Sequence, residues 1–255
     1  MALLLNCQAM RAILFDFGGT LDFPRHWLDR FVAHYQAAGI PIERDEFDGA
    51  FSAATRKAYL CGTTLQEYSL LRLVGFLVEL QFEELGASRA AAPSESRAML
   101  GSDWRCAELK QQIRDSFVAE SEAGFATSRP LLRALAQRLK IGVVSNFYGN
   151  LDRVLNEADL APSIDVIADS ARLGLHKPDP RIFAAALAQL GVAPHETVMV
   201  GDSLDKDCAP ARAMGMTAVW LRHRDFSGDQ TTAAQWADFT IDGLGGLKDF
   251  KWLAD

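Results

Sequence analysis

Short apolar runs alternating with longer amphipathic stretches set the rhythm of this chain. Ala12–Phe15, Ile141–Val144, Ile164–Ala168, Val198–Val200 and Ala218–Leu221 are each too short for a helix and lack strict alternation. That pattern predicts strands buried on both faces. Between them, Pro130–Leu139 carries Leu131, Leu132, Leu135 and Leu139 on one helical face. Arg181–Leu190 is opened by Pro180 and closed by Gly191, and Asp205–Met214 is closed by Gly215. Strands alternating with helices predict an α/β fold, a doubly wound parallel sheet of Rossmann-like form with helices on both faces.

One region breaks the rhythm. From Pro24 to Ala123 the periodicity is helical throughout, with Trp27, Phe31 and Tyr35 at i, i+4 and i+8 of a helix over His26–Ala38. Asp45–Leu60, Leu65–Leu85, Ser94–Met99 and Glu108–Ala119 continue the series, broken at Ala90-Ala91-Ala92-Pro93. The chain therefore divides into a Rossmann-like core of residues 1–22 and 124–255 and an all-helical insert of residues 23–123. The insert leaves from the loop after the first strand, which places it either as a stabilising bundle or as a lid over that loop.

With 255 residues, 49% of them apolar, the chain can bury a sizeable core. Its net charge of −7 is spread along the sequence, which argues against nucleic acid and anionic membranes as partners. Cys7, Cys61, Cys106 and Cys208 have neither C-x-x-C nor metal-ligand spacing and read as reduced thiols. The start, Met1 to Cys7, lacks the form of a secretory signal, residues 1–9 read as an extension, and no run has the length of a membrane span. The expected location is cytoplasmic.

Ligands of open parallel sheets bind beyond the carboxyl ends of the strands, so the chemistry is sought there. The first strand runs into Asp16-Phe17-Gly18-Gly19-Thr20-Leu21-Asp22, a carboxylate lifted from a buried strand into a glycine turn. The second ends in Ser145-Asn146. Lys177 sits in an extended segment ahead of Pro178, and the fourth strand ends in Gly201-Asp202-Ser203, with Asp207 on the next turn. Singly, these are a cap, a solvated lysine and a helix-terminal charge. Together they gather carboxylates, a hydroxyl and a lysine on one edge, a set that suits a hard cation such as Mg²⁺ beside a phosphate.

These four motifs, in this order, resemble those of the haloacid dehalogenase-like superfamily of phosphohydrolases over residues 11–22 and about 127–250. The resemblance implies that Asp16 is a nucleophile forming an aspartyl-phosphate, with Lys177 catalytic and Ser145, Asn146 and Lys177 binding phosphate. It implies Mg²⁺ held by Asp16, the Gly18 carbonyl, Asp202 and Asp207, and a small phosphorylated metabolite as substrate. The insert resembles the family's substrate-selecting helical cap. One position departs: where the family carries a second aspartate, its general acid/base, this chain has Gly18. Such an acid contributes about 10²–10⁴-fold. The open readings are a good leaving group such as an acyl or phenolic phosphate, a substitute donor (Asp22, Lys57, His26 or Arg56), or a low-activity regulatory protein. Phosphonate cleavage, with Lys57 as Schiff base, and dehalogenation also remain open, the latter disfavoured by the Asp202/Asp207 pair.

Overall fold

The computed structural model describes residues 10–91, 107–223 and 235–250. Residues 1–9, the Ser94–Met99 helix, Ala92-Pro93, Cys7 and Cys106 lie outside the described residues. Six strands form one parallel sheet: β1 Ala12–Phe15, β2 Lys140–Ser145, β3 Val166–Asp169, β4 Thr197–Gly201, β5 Thr217–Leu221 and β6 Phe239–Ile241. Their order is β3-β2-β1-β4-β5-β6, with every neighbouring pair parallel. The chain winds outward from β1 in both directions, so the reversal of strand order, where such sheets open a crevice, falls beside β1.

The strands are apolar on both faces because the sheet separates two cores. Ile13, Phe15, Ile141, Val143, Val198 and Val200 pack on one side, and Ala12, Leu14, Val144, Met199, Ala218 and Trp220 on the other. This is the period-two alternation of a strand with both faces covered. β6 was not legible as a run, being three residues of which only Ile241 is buried.

The helices are α1 Trp27–Ala37, α2 Arg44–Leu60, α3 Leu70–Ala91, α4 Ala107–Leu135, α5 Leu151–Glu157, α6 Ser170–Leu173, α7 Pro180–Leu190 and α8 Ala209–Ala213. Three differ from the sequence reading. Leu65–Leu85 divides into a 3₁₀ segment, Gly62–Glu67, and α3. Asp205–Met214 divides into a π-helical turn, Leu204–Cys208, and α8. Glu108–Ala119 and Pro130–Leu139 belong to one helix, α4, which runs through Pro130 and ends at Leu135. Gly191 and Gly215 stop their helices with φ of 65° and 88°, the left-handed geometry glycine adopts freely.

α4 lies directly on the loop that follows β1. A Cβ on Gly124 would fall 1.6 Å from the Asp22 carbonyl oxygen, and the Ser128 hydroxyl donates to the Leu21 carbonyl at 2.7 Å. Two small residues one helical turn apart thus let the helix reach that backbone. Among the described residues, no helix is long and apolar enough to cross a membrane.

Candidate active site

Register brings the strand ends level. Phe15 pairs with Val143 on β2 and Val200 on β4, and the Asp16 amide extends the ladder to the Val200 carbonyl at 2.9 Å. Asp16, Ser145 and Asp202 therefore emerge together. One oxygen from each of Asp16, Asp202 and Asp207 lies within 4.8 Å of the others. The Lys177 ammonium donates to Asp16 Oδ1 and Asp207 Oδ1, both at 2.6 Å, and the Ser145 hydroxyl donates to Asp16 Oδ1 at 3.1 Å. Asn146 acts on the lysine's backbone: its amide donates to the Lys177 carbonyl at 3.0 Å and its oxygen accepts from the Lys177 N–H at 2.7 Å. Its side chain is thus spent on placing Lys177.

The electrostatics follow from crowding. Burial opposes the Lys177 charge, yet Asp16 and Asp207 outweigh it and raise the lysine pKa. Burial raises Asp207, Lys177 pulls it back, and the charges of Asp16 and Asp202 add to the rise, so that it reaches about 7. Asp202 is also buried, but a hydrogen bond from His223 and neighbouring basic groups hold it below the usual aspartate value. Three hard carboxylates crowded so closely that one retains its proton near neutrality are a donor set suited to a hard divalent cation. The close approach depends on glycine: a Cβ on Gly19, at φ 86°, would meet Asp202 Oδ2 at 2.4 Å, and one on Gly201 would meet Asp207 Oδ2.

The residues that the sequence offered as alternative proton donors separate clearly. Asp22 is fully buried, accepting from the Gly19 N–H at 2.7 Å, the Trp27 indole at 2.6 Å and the Arg30 guanidinium. Burial raises its pKa against the opposing pull of Arg30, and it does not line the cavity above Asp16. Arg30 is itself satisfied by Glu120 at 2.8 Å, Ser121 at 2.6 Å and the Phe117 carbonyl at 3.1 Å. Lys57 is paired with Glu84 at 2.5 Å, and neither it nor Arg56 lines the cavity above Asp16. His26 does line it. As the N-cap of α1, its Nδ1 accepts from the Leu28 N–H at 3.2 Å.

That cavity, about 300 Å³, holds Asp16, Ser145, Lys177, Asp202 and Asp207 at its base. Several of its other residues escaped the sequence reading. Phe51, Thr55 and Tyr59 recur at i, i+4 and i+8 on α2, beside the buried stripe of Phe47, Ala54 and Ala58. Trp27, Phe147, Tyr148, His176 and Lys206 contribute more of the wall. His223 stands behind the base, its Nδ1 2.6 Å from the Pro24 carbonyl and its Nε2 3.0 Å from Asp202 Oδ2. Both nitrogens face acceptors, so both carry protons. Burial opposes that charge, but Asp202 prevails and the pKa rises. His223 follows the end of β5, so the same search for polar groups at strand ends, carried one strand further, reaches it.

A profile of the haloacid dehalogenase-like hydrolases matches residues 10–215, and the chain belongs to this family. It is 34% identical over 217 residues to haloacid dehalogenase-like hydrolase domain-containing protein 3 of Bos taurus, covering 81% of this chain and 80% of that one. It is also similar to the phosphoserine phosphatase of Thermus thermophilus, at 33% identity over 144 residues. That match takes in 56% of this chain, which spans about half the relative's length, 53%. The structure of a phosphatase of the same superfamily from Thermococcus onnurineus superposes with a TM-score of 0.52 at 23% identity, covering 94% of this chain and 97% of that one, a likeness of fold.

Proposed function

We propose that the protein is a Mg²⁺-dependent phosphohydrolase of small phosphorylated metabolites, working through an aspartyl-phosphate on Asp16. Residues 1–22 and 124–255 form its catalytic core and residues 23–123 its helical cap. The observation that carries this reading is Lys177 bridging Asp16 and Asp207 at 2.6 Å each, in a cluster completed by Asp202 at the base of a 300 Å³ cavity. Phosphatase relatives support it.

The Asp16 carboxylate attacks phosphorus as nucleophile. Lys177 and the Ser145 hydroxyl, already on Asp16 Oδ1, hold that oxygen's orientation and offer positive charge and a donor to the phosphoryl oxygens. Asp16, the Gly18 carbonyl, Asp202 and Asp207 would hold Mg²⁺, which supplies charge neutralisation to the phosphoryl group when bound. Asn146 fixes Lys177 through its backbone. His223 fixes the rotamer of Asp202 and ties it to the Pro24 carbonyl. Gly18 stands where a family member's general acid/base would stand and donates no proton.

A screen of phosphorylated metabolites for phosphate release, with Mg²⁺ present and chelated, tests this reading. Turnover that needs Mg²⁺ and is abolished in a folded Asp16→Asn protein supports it. Turnover that survives Asp16→Asn refutes covalent catalysis by that residue.

A further inference from the structure

We infer that the preferred substrates are phenolic phosphate monoesters, in which the leaving oxygen sits on an aromatic ring. The inference rests on the phosphohydrolase reading and joins two independent observations: position 18 presents no side chain to protonate a leaving oxygen, and the cavity walls are aromatic.

The first observation comes from position 18 and the side chains around it. Position 18 has no side chain, and the Trp27 indole lies 3.2 Å from where a Cβ would be. Asp22 is sealed behind that indole, and Lys57 and Arg56 lie off the cavity. His26 lines the cavity, and its Nδ1 is taken up as the N-cap acceptor of the Leu28 N–H. Burial pushes the phenols of Tyr59 and Tyr148 upward, Tyr148 to about 12. His176 and Lys206 line the cavity where it is open to solvent, His176 edge-on to Tyr59 at 5.1 Å. A leaving group that departs without protonation must be a stable anion in its own right.

The second observation selects among such groups. Phe51 and Tyr59 enter from α2, Trp27 from α1, and Phe147 and Tyr148 from the segment after β2. Tyr59 and Tyr148 stack at 5.1 Å with 29° between their planes. Walls of this kind bind a planar ring by stacking and edge contacts and offer little to a small acyl group. Phosphoserine, the substrate named for one relative, is by contrast an alkyl ester with a basic leaving oxygen.

The step balances without an acid. An Asp16 carboxylate oxygen forms a bond to phosphorus while the bond from phosphorus to the aryl oxygen breaks. The electron pair stays on that oxygen, and the phenolate takes its proton from water after release. Water then attacks the aspartyl-phosphate, the pair returns to the Asp16 carboxylate, and inorganic phosphate leaves with the water's protons shared with solvent.

Four probes separate leaving-group chemistry from ring recognition: 4-nitrophenyl phosphate, phenyl phosphate, acetyl phosphate and glycerol 3-phosphate, each assayed with Mg²⁺. The expected kcat follows leaving-group acidity, with glycerol 3-phosphate lowest, while KM is lower for the two aryl esters than for acetyl phosphate. Phe51→Ala and Tyr59→Ala should raise KM for phenyl phosphate about 10-fold, as loss of one aromatic contact implies, and change KM for acetyl phosphate less than about 2-fold on the same scale. The acetyl phosphate values also report that each variant is folded. Equal KM effects on both substrates overturn the inference, as does glycerol 3-phosphate turning over as fast as phenyl phosphate. A His176→Gln protein that loses glycerol 3-phosphate turnover selectively overturns it too, by revealing a proton donor. Release of phosphate from none of the four defeats the phosphohydrolase reading itself, and this inference with it.

Discussion

The indole of Trp27 covers Gly18: a Cβ there would lie 3.2 Å from Nε1 and 3.4 Å from Cδ1, and Asp22 pins that nitrogen at 2.6 Å. The space beside the loop after β1 that an acidic side chain would need is thus bounded by a fixed aromatic ring. Gly18→Asp must displace the ring by a few tenths of an ångström, for a stability loss of about 1–3 kcal/mol, the usual range for overpacking. Where the fold survives, the ratio of alkyl to aryl phosphate turnover should rise by about 10²-fold, the low end for a positioned acid. Steady-state kinetics on glycerol 3-phosphate and phenyl phosphate measure it, and an unchanged ratio rejects the role assigned to position 18.

Asp22 belongs to the structure of the insert. Its buried pair with Arg30 links the loop after β1 to α1, and Arg30 continues the link to Ser121 and Glu120 on α4. Removing one partner of a buried pair strands the other charge, at a cost of about 3–5 kcal/mol. Asp22→Asn should lower the midpoint of chemical denaturation by a corresponding amount. It should leave the dependence of kcat on leaving-group acidity as in the wild type, since Asp22 gives no proton. A steeper dependence in Asp22→Asn would identify it as the acid after all.

Much of the candidate site was legible because ligands of an open parallel sheet bind beyond the carboxyl ends of its strands, and strand ends are marked by the close of an apolar run. Asp16, Ser145 and Asp202 were found this way, Lys177 and Asp207 in the segments that follow, and the structure brings all five together. Asn146 was correctly placed beside them, but sequence position does not show that its amide serves the Lys177 backbone. The cavity wall on α2 was hidden for a different reason. Periodicity reveals the stripe that enters the core, Phe47, Ala54 and Ala58, whereas Phe51, Thr55 and Tyr59 form the adjoining stripe toward the site. α4 was read as two helices because proline commonly opens one, while here Pro130 lies inside the helix.

Held free of divalent cations, the protein should lose stability as pH rises. In the fold without a cation Asp207 keeps its proton up to about 7, against the ordinary aspartate value of 3.8. Between those values the folded protein binds more protons than the unfolded chain, so this group's contribution to stability is full below about pH 4 and declines until about pH 7. Thermal denaturation in a chelator, compared between pH 5 and pH 8, measures the slope. Asp207→Asn, which has no such titration, should flatten it, and an unchanged slope in that variant would assign it to other groups.

α4 is held to the loop after β1 by a close backbone approach and one side-chain hydrogen bond. The helix backbone reaches the chain at Leu21 and Asp22 only because residue 124 has no side chain, a Cβ there falling 1.6 Å from the Asp22 carbonyl oxygen and 2.3 Å from its carbon. That neighbour is backbone, which cannot rotate aside, so Gly124→Ala must move either the helix or the loop carrying Asp16. Such a shift should cost about 3 kcal/mol, the upper end for a methyl group forced into packed structure, and should lower kcat even where the protein folds. Ser128→Ala removes only the hydrogen bond to the Leu21 carbonyl, and about 1 kcal/mol is expected. Urea denaturation orders the two variants, and kinetics on 4-nitrophenyl phosphate reports the loop. If Gly124→Ala matches the wild type in both stability and kcat, the contact does not couple the helix to the site; if Ser128→Ala proves the more damaging, the hydrogen bond rather than the close approach holds them together.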